Sequence, residues 1–341
     1  MCSAKILCTT PILVLIGVLQ LSQAAYLRYY NGSLDNFVET PLADPLKLIP
    51  YINNELPTVI YTFGYRGRVD GPATTAVLTA YIKKKKRNII LLNWQEEAVT
   101  GLFGIPIGYA FNAIPSAKKV GRELGDAILE LTQAGVDISD IHLVAHSLGA
   151  HIMGYAGKVT REHGYVIPRI TGLDPPGTLF EGAFAIHSGL DRTCAKFVDI
   201  VHTDLGSYGS TTSRGTIDIW PNYTGENSKQ PGCPDGIFEL FSREDLCSHD
   251  RSWGYFVEAL ASPTAFVAVG AANYSDWVTH GGDINRAIYL GDLTSTQARG
   301  NYYMRTNSKS PYALHAEGIK PNTNQARSRR NPFLTRFFQL F

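Results

Sequence analysis

The sequence has no excess of charge of either sign. Its 31 Lys and Arg residues nearly balance 30 Asp and Glu residues, which leaves a formal charge of +1 at pH 7. This balance gives no reason to expect a nucleic-acid partner. Beyond residue 24 the sequence also lacks an apolar run long enough to cross a bilayer, so we expect no transmembrane segment there. Internal repeats are absent as well, which favours one continuous domain.

What the sequence does contain is a hydrophobic content of 44%, which is ordinary for a globular chain that buries a core. Strand-like runs alternate with helical patterns, and this order predicts a largely parallel sheet flanked by helices. The strand-like runs cover residues 57–63, 87–94, 141–145, 166–173 and 197–202, and the helical patterns cover 72–84, 116–134 and 148–159. We expect irregular chain or short strands before residue 57, and strands and loops of the same domain over 264–315.

The first 24 residues resemble a secretory signal. Lys5 supplies a short basic start, residues 6–19 form an apolar core, and Ser22-Gln23-Ala24 is a small-residue cleavage site. A transmembrane anchor is the alternative, but the apolar run is short for a bilayer. We therefore expect the mature chain to begin at Ala25 and to be secreted. Candidate acceptors for N-glycosylation occur at Asn31, Asn222 and Asn273.

A predicted strand ending at Val144 leads directly into Ala145-His146-Ser147-Leu148-Gly149, and a helical pattern follows. A strand, a sharp turn and a helix in this order are typical of a nucleophile elbow, which lifts a serine oxygen above the carboxyl edge of a sheet. Ser147 is therefore the candidate nucleophile. The usual pattern has glycine where this chain has Ala145, so an ordinary polar turn is the alternative.

A serine nucleophile needs an acid and a base, which follow it in that order along the chain in this architecture. Asp174 directly follows the predicted strand 166–173, and the two prolines after it cannot extend a strand. An acid at the carboxyl end of a strand is placed to orient an imidazole. His249 lies in a loop at the start of a later helical pattern, from which a general base could reach the sheet edge. The alternatives are a turn-initiating Asp174 and a structural His249.

Two backbone N–H groups are also needed to stabilise an oxyanion. In this architecture one donor follows the nucleophile, and the other comes from the loop after an early strand. Residues 57–63 are predicted to form that strand, and Gly64-Tyr65-Arg66-Gly67 ends it. We assign the two donors to Tyr65 and Leu148, with a plain glycine turn as the alternative for the early loop.

From about residue 26 to residue 315, the order of these motifs resembles the animal lipase family, which includes pancreatic-type lipases and secreted sn-1-specific phospholipases, and most of all its insect members. Besides the elbow, the supporting segments are Gly172-Leu173-Asp174-Pro175, residues 197–204, Gln230-Pro231-Gly232-Cys233, Cys247-Ser248-His249 and Gly300-Asn301-Tyr302-Tyr303. The resemblance implies an α/β-hydrolase fold over residues 25–325, with Ser147, Asp174 and His249 as a catalytic triad. Pancreatic-type members carry a further C-terminal β-sandwich domain, which we do not expect here.

The resemblance also implies a disulfide between Cys233 and Cys247 that closes a lid loop over the serine. The apolar residues of this loop, which would cover an acyl site, are Ile237, Phe238, Leu240 and Phe241. A disulfide-bonded surface loop without gating is the alternative. Cys194 is then left as a free, buried thiol. It stands where the family pattern has an aspartate associated with bound calcium, so we expect no metal site there.

The resemblance implies a serine carboxylic-ester hydrolase that releases a fatty acid from lipid at an aggregate or membrane surface, through an acyl-enzyme and without a cofactor. A short lid favours phospholipid cleavage at sn-1, and triacylglycerol or galactolipid hydrolysis are the alternatives. A second class is a weakly catalytic lipid-binding or yolk-type storage protein on a lipase scaffold, because Phe63 replaces the usual histidine before Gly64. The sequence leaves the oligomeric state open.

Two basic stretches lie outside the predicted site. Residues 83–87 end a helical pattern that begins after the first predicted strand, so they belong at the sheet edge opposite the catalytic one, where the helix dipole favours positive charge. Residues 326–341 form a tail in which arginines alternate with aromatic and aliphatic residues. Such a tail could dock on a lipid surface, and disorder or local packing is the alternative.

Overall fold

A computed structural model describes residues 25–100, 104–225 and 228–321. The predicted signal segment 1–24 and the predicted tail 326–341 lie outside the described residues. The strands are β1 (Tyr26–Ser33), β2 (Asn36–Pro41), β3 (Thr58–Thr62), β4 (Asn88–Asn93), β5 (Ile141–His146), β6 (Arg169–Leu173), β7 (Phe197–Val201), β8 (Ile217–Pro221), β9 (Val267–Ala271), β10 (Asp283–Tyr289) and β11 (Gly300–Met304). The helices are α1 (Pro72–Lys84), α2 (Ile105–Gly108), α3 (Ile114–Gln133), α4 (Leu148–Glu162), α5 (Cys247–Ala261) and α6 (Tyr274–His280). A π-helical turn, Tyr109–Ala113, joins α2 to α3.

The strands form one sheet with the order β10-β9-β11-β8-β7-β6-β5-β3-β4-β1-β2. Neighbours from β11 to β4 in this order run parallel, and the pairs outside them are antiparallel. The strands β3, β5, β7 and β8 are buried along their whole length, as expected for a parallel sheet covered on both faces. The predicted α/β-hydrolase fold, a mostly parallel sheet flanked by helices, is confirmed.

The strand register brings three loops to one edge of the sheet. Thr62 at the end of β3 pairs with Ala145 of β5, and His146 at the end of β5 pairs with Leu173 at the end of β6. Because these strands are parallel, the residues that follow them meet at one carboxyl edge. The loops after β3, β5 and β6 are therefore neighbours in space, although they are distant along the chain.

Helices pack on this sheet in two close pairs. A methyl group on Gly121 of α3 would lie 2.6 Å from the carbonyl oxygen of Ile152 in α4, so glycine is what allows these two helices to approach. In the second pair, α1 and α5, the ring of Tyr81 lies 6.3 Å from that of Phe256. None of the helices within the described ranges is both long and apolar enough to cross a bilayer.

The structure differs from the sequence prediction over residues 264–315, where it adds the helix α6. Asn273 caps this helix, since its side chain accepts a hydrogen bond of 3.0 Å from the backbone N–H of Asp276. Trp277 is the residue of this helix that is buried. A helix of 7 residues is too short to produce a helical period, so the apolar pattern alone could not distinguish it from a loop.

The basic run 83–87 lies away from the catalytic edge, as predicted. It covers the end of α1 and the turn before β4, and the amino end of β4 is at the opposite edge of the sheet from the loops after β3, β5 and β6. Lys84 and Arg87 both pair with Asp292, at 3.0 and 3.5 Å. Part of this charge is therefore neutralised within the fold.

Candidate active site

Ser147 lies at the sharp turn between β5 and α4. Its backbone has φ 56° and ψ −134°, and a conformation of this kind costs a non-glycine residue about 1–3 kcal/mol. Strained strand-to-helix turns mark a nucleophile elbow. A methyl group on Gly149 would lie 2.6 Å from the carbonyl oxygen of Phe63, so glycine is required there. Ala145 is fully buried, and the core accommodates its methyl group where the usual pattern has glycine.

Asp174 and His249 form a buried hydrogen-bonded pair at the same sheet edge. The Nδ1 atom of His249 lies 2.6 Å from Oδ2 of Asp174, and both residues are almost completely buried. The other carboxylate oxygen, Oδ1, accepts hydrogen bonds from the backbone N–H groups of Thr203 (2.6 Å) and Asp204 (3.2 Å). A carboxylate held in this way can fix the tautomer and the orientation of an imidazole.

The surroundings of His249 raise its pKa above the ordinary value of 6.5. Burial by itself lowers the pKa, but the hydrogen bond to Asp174 and the charges of Asp174, Asp204 and Asp250 outweigh it. Next to it, His146 has a lowered pKa because it is buried and its ring lies 4.6 Å from that of His249. Of these two adjacent imidazoles, the one paired with a carboxylate is therefore the one suited to accept a proton.

Ser147 lies beside this pair without a hydrogen bond to it. The residue before the serine, His146, has its ring centroid 4.6 Å from that of His249, which places the imidazole of His249 next to the elbow. Within the described part of the chain, no hydrogen bond joins the Ser147 hydroxyl to a protein group. In hydrolases the bond between nucleophile and base often tightens only when substrate is bound.

The backbone N–H groups of Tyr65 and Leu148 donate to no acceptor among the described residues. The next N–H along the early loop, that of Arg66, is already used in a bond of 2.8 Å to the carbonyl oxygen of Ala98. A methyl group on Gly64 would lie 2.5 Å from the Cβ atom of the candidate serine, so this loop passes directly against the elbow. The two predicted oxyanion donors are thus on segments adjacent to the serine, and neither donates to another group in the part of the chain that the structure describes.

An apolar pocket opens beside Ser147. It encloses about 660 Å³, including the part open to solvent. Its main lining residues are Tyr65, Ile105, Pro106, Tyr109, Ala110, Pro176, Leu179, Tyr208 and Phe241. Most of the wall is hydrocarbon, so the pocket suits an apolar chain whose reacting end lies near the serine.

The predicted disulfide between Cys233 and Cys247 is confirmed. It closes the loop that contains Phe241, and the ring of this residue forms part of the pocket wall. The ring centroid lies 5.5 Å from that of Tyr65, in an edge-to-face arrangement, and 5.2 Å from that of Tyr208. Phe241 therefore packs over the residue that carries one predicted oxyanion donor.

The other three predicted lid residues lie elsewhere. Ile237 is 81% exposed, and Phe238 and Leu240 are half-buried outside the walls of this pocket. Phe238 instead borders a second, smaller cavity next to the disulfide. The loop is short and the disulfide fixes both of its ends at the start of α5, so it cannot turn every apolar residue toward the serine.

Sequence reasoning missed the contact that holds Phe241 in place. The carboxylate of Asp245 accepts hydrogen bonds from the hydroxyl of Tyr208 and, at 3.0 Å, from the backbone N–H of Phe241. Burial raises the pKa of Tyr208, and the hydrogen bond to Asp245 raises it further. Tyr208 and Asp245 are 37 residues apart and belong to no common motif, so no sequence signal could have paired them.

Side-chain atoms of Asp174, Asp204 and His249 lie within 4.8 Å of one another, a spacing that a metal ion could use. The hydrogen bonds in place argue against this use. Both oxygens of Asp174 and the Nδ1 atom of His249 are engaged within the protein, and an ion would have to displace them. We interpret Asp174 and Asp204 as groups that orient the imidazole of His249 and raise its pKa.

Four further residues with predicted roles lie outside the pocket. Cys194 is a free, buried thiol, as predicted, and burial raises its pKa to about 11. Asn31 and Asn273 are exposed and remain candidate glycosylation sites. The Nδ2 atom of Asn222 donates two hydrogen bonds of 2.8 Å, one of them to Gln230. This amide nitrogen is directed into the fold, which argues against a glycan at Asn222.

The family model described as Lipase matches residues 49–312. Among curated proteins, the chain is similar to lipase member H-B from Xenopus laevis, with 35% identity over 67% of this chain and 46% of that protein. It is also similar to phospholipase A1 from Vespa crabro, with 30% identity over 75% of this chain and 83% of that protein. A third relative is pancreatic triacylglycerol lipase from Equus caballus, with 28% identity over 75% of this chain and 56% of that protein. The chain spans about half the length of the Xenopus relative.

Proposed function

This chain belongs to the Lipase family, and we propose that it is a carboxylic ester hydrolase that releases a fatty acid from a lipid. Ser147 attacks the acyl carbon, His249 accepts the proton of the serine hydroxyl, and Asp174 holds the imidazole in the useful tautomer. The N–H groups of Tyr65 and Leu148 stabilise the negative oxygen of the tetrahedral intermediate. The alcohol part of the lipid leaves with a proton from the imidazole, and water then releases the fatty acid from the serine.

One observation carries this proposal. The buried bond of 2.6 Å between Asp174 and His249 lies at the sheet edge where Ser147 adopts its strained turn. A lipid-storage protein on the same scaffold would need neither the strained serine nor the oriented imidazole. Strain of this kind is retained where it serves a chemical step, so catalysis is favoured over storage.

Exposed apolar side chains support a lipid aggregate or membrane surface as the partner. Ile107 and Phe111 lie on α2 and the π-helical turn, beside residues that line the pocket, and Phe111 is 79% exposed. Phe184 and Ile186 belong to the segment that follows the pocket wall after β6, and both are exposed. Ile237 adds a third segment, the disulfide-closed loop. Exposed large apolar residues on three segments around one pocket are typical of a surface that contacts lipid.

We propose phospholipid as the substrate class because of Arg66. This residue follows Tyr65, and its guanidinium lies 5.1 Å from the ring centroid of Phe241 at the mouth of the pocket. The side chain is exposed, and among the described residues it has no ion pair or hydrogen bond. A phosphate could accept two parallel hydrogen bonds from it, whereas a triacylglycerol has no charge to match it.

Similarity to phospholipase A1 from Vespa crabro supports the same class, and cleavage at sn-1. Rates on phosphatidylcholine vesicles and on a triacylglycerol emulsion distinguish the two lipids. We expect faster hydrolysis of phosphatidylcholine, and a substrate with different acyl chains at its two positions should release the sn-1 chain. A large preference for the emulsion would overturn this assignment and favour the activity named in the pancreatic relative.

We also propose that the protein is secreted. The signal-like segment 1–24 and the disulfide between Cys233 and Cys247 support export, because disulfides persist in oxidising compartments. Expression in animal cells should place the protein in the medium with Ala25 at its N-terminus, as determined by N-terminal sequencing. Retention of the uncleaved chain in the cells would contradict this.

Labelling with a serine-reactive alkyl phosphonate tests the catalytic proposal. We expect covalent modification of Ser147 in the presence of lipid vesicles, and no modification of Ser147→Ala. Ester hydrolysis should fall by several orders of magnitude in that variant, up to about 10⁶-fold. Ser139→Ala serves as the control, because Ser139 is an exposed serine that precedes β5 and so lies at the opposite end of this strand from the elbow. Undiminished hydrolysis by Ser147→Ala would remove the serine from its role, and an unlabelled wild-type protein under every lipid condition would favour the storage function.

A further inference from the structure

The ammonium group of Lys158, near the end of α4, is surrounded by oxygen atoms of the loop 188–194. Its Nζ atom lies 2.7 Å from the carbonyl oxygen of Gly189 and 3.0 Å from Oδ2 of Asp191. The hydroxyl and the carbonyl oxygen of Ser188 lie at 3.2 and 3.5 Å. The lysine side chain is 24% exposed, so most of it is withdrawn from water.

These oxygen atoms are the kinds of ligand that a hard cation takes. Carbonyl, hydroxyl and carboxylate oxygens bind Ca²⁺ in proteins, and the resemblance to the animal lipase family implies calcium at the position of Cys194. The residues present do not fit the ion. Cys194 is a buried thiol whose pKa is raised to about 11 by burial, so it supplies no anionic ligand. The ammonium of Lys158 also lies among the oxygens, and its charge would repel a second cation there.

Asp191 is held as an ionised partner for this lysine. Burial by itself raises the pKa of Asp191, but hydrogen bonds from the hydroxyl and backbone N–H of Thr193 and from Lys158 lower it below its ordinary range. The bonds from Thr193 therefore hold the carboxylate of Asp191 in position independently of the lysine. Such fixation reduces the entropy cost that makes most exposed ion pairs weak.

We propose that Lys158 is a built-in cation that holds the loop 188–194 against α4 in the place of a bound metal ion. The helix and the loop are in close contact here, since a methyl group on Gly157 would lie 2.1 Å from the carbonyl oxygen of Cys194. With the cation supplied by α4 itself, the fold of this loop does not depend on calcium. Lys158 keeps this role whatever reaction the elbow serine performs.

The loop is connected to the pocket through a histidine. The backbone N–H of Leu190 donates to Nδ1 of His151 at 2.9 Å, so the imidazole proton is on Nε2. That atom lies 2.9 Å from the carbonyl oxygen of Pro176, and Pro176 lines the pocket beside Ser147. The loop that Lys158 holds therefore supports one wall of the pocket.

Thermal unfolding in calcium chloride or in EDTA tests this role without any substrate. We expect the wild-type protein to have the same melting temperature in both, and to show no Ca²⁺ binding by isothermal titration calorimetry. Lys158→Met keeps the aliphatic stem and removes the charge, and we expect its melting temperature to fall by about 3 °C or more. Lys86→Met is the control, because it removes an exposed lysine and should change the melting temperature by about 1–2 °C at most.

Lys158→Ala opens the space among the oxygen atoms. We expect calcium chloride to raise the melting temperature of Lys158→Ala, or to restore its folding if the variant does not fold in EDTA. Three results would each overturn the inference. These are a wild-type protein that binds Ca²⁺ and gains stability from it, a Lys158→Met variant that matches Lys86→Met, and a Lys158→Ala variant that calcium neither stabilises nor refolds.

Discussion

A methyl group on Gly64 would lie 2.5 Å from the Cβ atom and 2.8 Å from the Oγ atom of Ser147. Carbon atoms do not approach so closely, so glycine is the only residue that lets this loop pass against the elbow. The close passage brings the N–H of the next residue, Tyr65, near the candidate nucleophile. An oxyanion donor has to be held at such a position before the reaction begins.

Replacing Gly64 by alanine should therefore displace the loop and weaken catalysis more than binding. We expect kcat on a soluble ester to fall by about 100-fold, the cost of losing one oxyanion donor, with a smaller change in KM. Gly254→Ala is the control, because a methyl group there would meet nothing closer than 3.9 Å and alanine favours the helix. Steady-state kinetics with circular dichroism as a check on folding would decide. A folded Gly64→Ala protein with unchanged kcat would contradict the role assigned to Tyr65.

The raised pKa of His249 predicts the acidic limb of the pH–rate profile. A general base acts in its neutral form, so kcat/KM should increase with pH, and the midpoint of the increase should lie above 6.5 because the pKa of His249 is raised above that value. Asp174→Asn removes the carboxylate that does most to raise this pKa, while burial, which lowers it, and the smaller effects of Asp204 and Asp250, which raise it, remain. The midpoint should then move to lower pH while kcat falls by about 10⁴-fold. A wild-type midpoint at or below 6.5 would contradict the proposed base.

The raised pKa of His249 also predicts how the stability of the folded protein changes with pH. Because the pKa of His249 is raised in the folded state, its protonation stabilises the fold at pH values below about 6.5, the value expected in the unfolded chain. This contribution disappears as the pH rises through the folded-state pKa. Denaturant unfolding of the wild type and of His249→Gln at several pH values should show that the stability difference between them shrinks with rising pH. A constant difference would be inconsistent with a raised pKa.

Arg66 is expected to distinguish phospholipid from neutral lipid. Losing a hydrogen bond to a charged group costs about 1.5–3 kcal/mol, so Arg66→Gln should lower kcat/KM on phosphatidylcholine by about 10- to 100-fold and leave a triacylglycerol or a soluble ester unaffected. Arg68→Gln is the matched control, because Arg68 is also exposed but is paired with Asp70 at 2.8 Å. Equal losses on charged and neutral substrates would show that Arg66 supports the loop and does not bind phosphate.

The sheet and the catalytic candidates could be predicted because each has a local signal. The strand β5 is buried at every position and mostly apolar, and the elbow follows it directly. Asp174 directly follows β6 in the same way. A parallel sheet brings the carboxyl ends of its strands to one edge, so local signals were enough to place Ser147 and Asp174 near each other. His249 needed the family resemblance as well, because it follows no strand. The prediction that it lies in a loop is wrong, since His249 is in the first turn of α5.

The rest depended on packing between distant segments. The four apolar residues of the disulfide-closed loop look alike in the sequence, yet Phe241 faces the pocket and Ile237 faces solvent. What separates them is the carboxylate of Asp245, which binds Tyr208 and the backbone of Phe241. The candidate glycosylation site at Asn222 shows the same dependence on packing. A motif of three residues carries no information about the hydrogen bonds that direct its amide into the fold.

Substitutions at Phe241 and Ile237 should distinguish two roles of this loop, which are to cover the pocket and to contact lipid. Phe241 packs on Tyr65 and Tyr208, so Phe241→Ala removes part of the cover over the pocket. We expect this variant to react faster than the wild type with a soluble phosphonate in the absence of lipid, because access to Ser147 no longer requires the loop to move.

Ile237 is 81% exposed and does not line the pocket, so Ile237→Ala should leave that soluble reaction unchanged. It should instead weaken binding to lipid vesicles, measured by co-sedimentation, because each buried methylene group contributes about 0.8 kcal/mol to membrane binding. The two variants therefore act as controls for each other. If Phe241→Ala left the soluble reaction unchanged, the loop would be a surface feature stabilised by the disulfide and would not cover the pocket. If Ile237→Ala bound vesicles as tightly as the wild type, the loop would not contact lipid.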